Sequence, residues 1–270
     1  MFRVRIEADT IFNDRRITTV VVRYPWILHH RVLAHRVFCR NVVSPPSVQA
    51  VETDPFIPLD WGTANASVCQ LQWKHALDVS LVSAQQLVSH LKVPPNAVEP
   101  LLSPFSYVTC LITATEWANF FKQRIQDDDA HMRKLAELLL AAMERSVPVE
   151  RPLHMPYLTP DEREVLMEQY MRDGVHSENV RRTAAVSGSR CARGTFAIDS
   201  SPVKHDREVD LAAELVSGSG CGDWSPFEHF AVSYVGMYTA CPYRGWKTFR
   251  SFQVNENLPG HVGEYLCLKK

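Results

Sequence analysis

The chain has 270 residues, 46% of them apolar, and a formal net charge of -1. That is enough to bury a full core in one large domain, and the near-neutral balance excludes a protein that holds nucleic-acid polymers through an overall basic field. The seven cysteines form no C-x-x-C pair and no Cys/His spacing suited to zinc, which excludes a metal framework and points to a reducing compartment. The chain is charged from Arg3 onward, with no apolar leader, and no apolar run approaches membrane-spanning length. A soluble, cytoplasmic protein without a membrane partner is expected.

Val4, Ile6 and Ala8 alternate with charged residues, Asn13-Asp14 is a turn, and Thr18 to Tyr24 is rich in β-branched residues. This predicts an opening hairpin ended by Pro25. From His29 to Ser47 the chain carries His29, His30, Arg31, His35, Arg36 and Arg40, interleaved with Val32, Leu33, Val37 and Phe38. The i, i+4 spacing of the apolar residues predicts a basic helix that Asn41 and Ser44-Pro45-Pro46 break into a polar loop. Such a helix can hold an anion; a half-buried helix with a solvated basic face gives the same pattern.

Pro45 to Asp60 reads as irregular, and Thr63 to Leu91 as a helix. Leu101 to Arg124 is apolar at first and then amphipathic. Ala130 to Arg145 is a strong helix with Met132, Leu135, Leu138, Leu139 and Met143 on one face. Pro148 to Pro156 is a linker, and Thr159-Pro160-Asp161-Glu162 a capping box launching a helix to about Met171. Ser187 to Phe196, rich in small residues, is expected to lead into a strand. Arg207 to Val216 is a helix, Gly218 to Gly222 a flexible turn, and Phe230 to Tyr238 a strand. Strands at both ends with helices between them predict one α+β domain over 1–270, an antiparallel sheet with a helical insertion at about 63–172.

G-x-G-x-x-G, P-loop, H-E-x-x-H and G-x-S-x-G motifs are absent. Besides the basic stretch, two constellations stand out. In Thr115 to Arg124, the polar Glu116, Asn119 and Gln123 fall on one helix face and Trp117, Phe120 and Phe121 on the other. Amides and a carboxylate beside aromatics suit a heteroaromatic ring; an ordinary amphipathic helix has the same periodicity. In Trp224-Ser225-Pro226-Phe227-Glu228-His229, Ser225 is placed as an N-cap with Glu228 completing a capping box, and a helix N-terminus also seats phosphate.

Together these stretches resemble the flavin-dependent thymidylate synthases. The family pattern R-H-R-x-x-S-x-N-x-x-S-x-R aligns with Ala34-His35-Arg36, Cys39, Asn41, Ser44 and Pro46. The T-H-R-V-F-S-R-N variant of phage-like members is closer still to Ala34 to Asn41. Thr113 to Phe121 is similar to their T-A-T-E-W-D-N-F-F, His154-Met155-Pro156-Tyr157 to H-L-P-Y, and Ser189 to Arg193 to A-R-C-A-R. Ser225 to His229 matches S-P-F-E-H letter for letter and, as in the phage-type order, follows the R-H-R segment.

The resemblance implies a thymidylate-synthase-complementing-protein-like fold and an FAD-binding homotetramer with active sites between subunits. It implies C5-methylation of a uracil nucleotide, with methylenetetrahydrofolate as carbon donor, NADPH as electron source and no enzyme nucleophile. By position, His35, Arg36, Asn119, Ser225 and Glu228 would contact FAD. Arg124 would face the pyrimidine ring, binding it and stabilising charge that develops as C5 attacks. No metal is implied. The departures concentrate on the nucleotide side: Ala34, Cys39 and Pro46 replace arginine, serine and the phosphate arginine, and Pro100 stands where phage-type members carry a further arginine. Losing a bidentate arginine costs a phosphate ligand a few kcal/mol. Arg31, Arg40 and Arg133 are additional cations, and Arg31 with Ser44 would hold an acceptor other than dUMP, such as UMP, as in nucleoside-antibiotic pathways. A hydroxymethylating flavoenzyme and a nucleotide-binding or structural relative without turnover are the alternatives.

Overall fold

The structure, a computed structural model, describes residues 1–44, 47–193, 205–217, 223–234 and 243–252. The chain opens on the expected hairpin, β1 (Arg3–Phe12) and β2 (Arg15–Pro25). Asn13 and Asp14 both take positive φ, 49° and 58°. That is the backbone a two-residue turn needs to match the twist of its strands, and Asn and Asp tolerate it better than other side chains bearing a Cβ.

The basic stretch departs from expectation. α1 (His29–Leu33) is a single turn and a half, and Cys39–Ser44 forms β3 rather than continuing a helix. Asn41 therefore lies inside a strand. After a short α2 (Val48–Thr53) come α3 (Ala66–Ser89), close to the expected helix, and α4 (Pro95–Leu102). β4 (Tyr107–Ala114) then runs between β3 and β2, antiparallel to both. α5 (Trp117–Arg124) and α6 (Ala130–Arg145) follow, the latter with the bounds its apolar stripe predicts.

β5 (Val149–Glu150) adds in parallel to β1, completing a five-stranded sheet of order β3-β4-β2-β1-β5. A second sheet has the order β6-β7-β8, from β6 (Leu153–His154), β7 (Ala231–Ser233) and β8 (Trp246–Thr248). The expected strand from Phe230 is thus present from Ala231, and its residues 235–238 lie outside the described residues, as does the glycine turn 218–222. The stretch 63–172 holds helices but also β4, an interior strand of the first sheet, and the short β5 and β6. The fold is α+β with mainly antiparallel sheets.

α7 (Pro160–Asp173) carries the capping box, with Thr159 and Glu162 each bonded to the other's backbone N–H. α8 (Glu178–Arg193) takes in the small-residue segment from Ser187, and the strand expected to follow it lies outside the described residues. Its small residues Ser187, Gly188 and Ser189 are buried because they face neighbouring elements at close range, which a helix permits as readily as a strand. α9 (His205–Ser217) matches the expected helix. Arg190, only 4% exposed, donates two hydrogen bonds to Glu162 at 2.6 and 2.8 Å and one to the Tyr157 carbonyl. This arginine of the A-R-C-A-R-like segment ties α8 to the start of α7.

The first sheet is buried on both faces. Val20, Val22 and Tyr24 of β2, with Val108, Cys110, Ile112 and Ala114 of β4, pack on Met132, Leu135, Leu139 and Met143 of α6. The opposite face carries Ile17, Thr19, Cys39, Leu111 and Thr113 and meets the second sheet and α8. A separate cluster of Leu77, Ala84, Val98, Leu102 and Phe105 holds α3 and α4. Among the described residues no helix is long and apolar enough to cross a membrane.

Candidate functional site

The turn between α1 and β3 presents His35, 8% exposed. Its ring packs against Phe38 and Phe120, with centroids 5.4 and 4.9 Å away. Arg124 Nε donates to His35 Nε2 at 3.1 Å, so Nε2 is an acceptor and the proton sits on Nδ1. Burial, and then the charges of Arg124 and Arg40, push the imidazole pKa down, which agrees with a neutral ring. Arg40 Nη1 also donates to the His35 carbonyl at 2.9 Å.

Arg124 ends α5. Its Nη1 donates to Asp127 Oδ2 at 2.9 Å. Arg31 Nη2 donates to the same oxygen, and Arg31 Nη1 to Asp129 Oδ2 at 3.2 Å. The Asp129 N–H adds a bond to Asp127 Oδ1. Burial would raise the Asp127 pKa, but the bonds from Arg31, the Asp129 amide and Arg124 hold it at about 2. Arg31 and Arg124 are thus bridged by one carboxylate, and Arg31 is engaged by two acids. Arg133, another of the additional cations, donates to the Asp127 carbonyl.

Arg36 and Asn119 are exposed. They are the chain neighbours of His35 and Phe120, whose rings touch, so the two polar groups flank one contact. Gln123 reaches Asn119 Oδ1 at 3.4 Å. Trp117 and Phe120 face inward, as the periodicity predicts. Ser44 is the last residue of β3, in register with Thr109; the Pro45-Pro46 part of the nucleotide-side loop lies outside the described residues.

Ser225 and Glu228 open and close a 3₁₀ turn, Ser225–Glu228, packed under α8. Gly188 makes this possible: a Cβ there would lie 2.6 Å from the Phe227 ring. The expected capping box is not formed. Ser225 makes no cap bond; its Oγ donates to Asp223 Oδ1 at 2.7 Å and accepts from Asn41 Nδ2 at 2.9 Å. Glu228 Oε1 is held by Arg250 Nη1 at 2.8 Å.

From Ser225 a hydrogen-bonded relay runs into the core, and chemistry fixes its direction. Asp223 can only accept when ionised, so Ser225 donates to it and must accept from the Asn41 amide. Asn41 Oδ1 then accepts from His229 Nε2 at 2.8 Å. His229 Nδ1 is therefore the acceptor of the Thr113 hydroxyl, at 2.7 Å. Thr113 in turn accepts from Thr19, its register partner on β2, at 2.6 Å. Thr19 accepts from His154 Nε2 at 2.7 Å, and His154 Nδ1 from Thr10 at 2.9 Å. Both histidines are fully buried, and burial brings each pKa down to about 3. Their neutral forms are what the relay requires.

Asn41, His154 and His229 fall within the motifs visible in the sequence but carry no role there, and Thr10 and Thr19 fall outside them. Threonine in a strand is ordinary by propensity, so nothing in the one-dimensional pattern marks those hydroxyls as partners of a histidine. The two clusters, His35–Arg124–Asp127–Arg31 and Asn41–Ser225–His229, are joined through β3, which carries His35 just before it and Asn41 within it.

Fold and site define an α+β protein in which two sheets are linked by a buried, fully ordered polar relay. Two solved structures are similar to it in part: the UMP/dUMP methylase PolB from Streptomyces cacaoi bound with 5-Br dUMP, and the same methylase bound with 5-Br UMP. The first is 13% identical, with a TM-score of 0.43, over 54% of this chain and 90% of that one. The second is 13% identical, with a TM-score of 0.39, over 53% and 92%. No protein-family model and no curated protein matches the chain.

Proposed function

We propose that the chain is a flavin-dependent C5-methyltransferase of a uracil nucleotide, dUMP or UMP. It would use methylenetetrahydrofolate as carbon donor and NADPH-reduced FAD as reductant, in a homotetramer. One observation carries the reading. Four stretches that resemble the flavin-dependent thymidylate synthases, far apart in the chain, supply Asn41, Thr113, His154 and Ser225 with His229, and all of them meet in one relay. Segments that resembled a family by accident would have no reason to converge.

The donor set fits FAD in part. Arg36 and Asn119 are exposed and carry donors suited to a pyrophosphate and a ring edge. Ser225 is half-buried with its hydroxyl taken by Asp223 and Asn41, His35 is turned toward Arg124, and Glu228 toward Arg250. Arg36 and Asn119 would therefore hold the cofactor directly, and His35 would act by fixing Arg124. Bound flavin supplies the reducing equivalents that turn a transferred one-carbon unit into a methyl group.

Arg124 is aimed by two partners, His35 through Nε and Asp127 through Nη1, and its Nη2 bonds to no described residue. A uracil carbonyl accepting from Nη2 would place the guanidinium where negative charge develops during attack by C5. Cys39 is buried, in keeping with a reaction that needs no enzyme thiolate.

The test is reconstitution with FAD, followed by separate titration with dUMP and UMP while the flavin spectrum is followed and the product is weighed by mass spectrometry. The proposal expects a yellow protein, a spectral change with one nucleotide, and product heavier by a methyl group. A protein that takes up no flavin overturns it. A second reading, a nucleotide-binding or structural relative without turnover, is favoured by the engagement of Arg31 with Asp127 and Asp129. It predicts flavin-independent binding and no product.

A further inference from the structure

Away from this site, a cavity of about 240 Å³ opens between β1, the segment leading into β5, and the first turn of α7. Its wall includes Glu7, Asp9, Thr10, Ser146, Arg151 and Arg163. The two acids are already matched. Glu7 pairs with Arg5 at 2.9 Å, and Asp9 takes a two-pronged bond from Arg16 and a third from Thr18. A backbone acceptor at the end of α6 is taken as well, since Arg16 Nη2 donates to the Met143 carbonyl at 3.0 Å. The two arginines are not matched: neither guanidinium has an ion pair or side-chain hydrogen bond to a described residue, and Arg163 Nε is buried without a partner.

Glu7 attracts the Arg163 guanidinium across the wall without bonding to it, and Arg151 repels it; a guanidinium partly removed from water without a direct partner is costly. An oxyanion between the two arginines would satisfy both, because the planar fork of arginine matches two oxygens of a carboxylate or phosphate. We infer that this cavity is a binding site for a small oxyanion of the phosphate or dicarboxylate type, held by Arg151 and Arg163 and separate from the candidate nucleotide site. Thr10 lines the same wall and donates to His154, so His154 reports on occupancy.

The experiment uses the full chain in chloride buffer at fixed ionic strength, to which sodium phosphate or sodium succinate is added. Melting temperature and the ring resonances of His154 are read. Either anion should raise the melting temperature and shift His154. Arg151→Gln with Arg163→Gln should abolish both effects, with an apparent affinity at least tenfold weaker. A response to phosphate alone assigns the site to phosphate ligands, and a response to succinate alone to carboxylates. Should the double variant fold poorly, Arg151→Gln alone, at a half-exposed position, should still weaken binding severalfold. The inference is overturned if neither anion acts, if the response persists in the arginine variants, or if it vanishes in Arg124→Gln while His154 stays unmoved, which would place the ion at the candidate nucleotide site.

Discussion

Thr113 donates to His229 Nδ1 across 2.7 Å while accepting from Thr19, so one hydroxyl joins the inner strands of the first sheet to the turn that carries Ser225. Thr113→Val removes a donor and an acceptor and keeps the shape. It leaves His229 Nδ1 without a donor and the Thr19 hydroxyl proton without an acceptor, though Thr19 still accepts from His154, at about 1–3 kcal/mol each. Denaturant unfolding should show that loss. Thr10→Val strands only His154 Nδ1 and should cost about half as much; equal costs would mean the relay does not run through Thr113.

The two buried histidines make stability depend on pH. Each has a folded pKa of about 3, against about 6.5 in an unfolded chain. Between those values the unfolded state binds more protons, so stability is fully present above pH 6.5 and falls as pH drops toward 3. The slope in mid-range is roughly 1.4 kcal/mol per pH unit for each histidine. Melting temperatures recorded from pH 7 to pH 4 check this; a flat profile down to pH 4.5 would show that these rings charge without cost.

Asp127 bridges Arg31 and Arg124. Arg31→Ala should destabilise by about 1–3 kcal/mol, because a largely buried carboxylate loses its strongest donor. Asp127→Ala in the same chain should restore part of that loss, and a double-mutant cycle measures the coupling. Additive losses would mean the two side chains do not sense each other.

Arg124→Ala should leave FAD uptake intact and lower turnover of the uracil nucleotide by about 100-fold or more, the scale of losing one donor to developing charge. Arg36→Ala and Asn119→Ala should do the reverse, weakening FAD before affecting the nucleotide. Spectroscopic titration and single-turnover assays separate the two effects.

Gly188→Ala would drive a methyl group into the Phe227 ring. Overpacking of this kind costs about 1–3 kcal/mol and would displace the Ser225–Glu228 turn. Adding Phe227→Leu should recover stability, read as the urea midpoint; no recovery would place the clash elsewhere.

What the sequence made legible was whatever one element decides alone. Asn13-Asp14 marks its turn, the stripe on Ala130 to Arg145 marks its helix, and Thr159 with Glu162 marks a helix start. β4 was not legible, since a strand buried on both faces shows no alternation and reads like a buried helix. The strand after Phe38 was hidden because Val37, Asn41 and Val42 fit either period until β4 is there to pair with them. Of the site, the residue types were visible and their partners were not: neither the bridging of Arg31 and Arg124 by Asp127 nor the rotation of His35 toward Arg124 follows from spacing. Ser225 looked like a cap because S-P-F-E has a cap's letters, and its hydroxyl was instead claimed by Asn41, 184 residues away.

The relay also sets an order of events in time. Thr10 and His154 are separated by 144 residues, and Asn41 and His229 by 188. During synthesis the hairpin, β4 and α6 can assemble while the hydroxyls of Thr19 and Thr113 still face solvent. Only when the segment holding Ser225 and His229 has emerged and docked is that face closed and dried. Such long-range closure is slow. The N-terminal sheet must therefore wait half-clad, with Ile17, Cys39 and Leu111 uncovered beside those hydroxyls, until the Ser225–His229 segment arrives to complete the site.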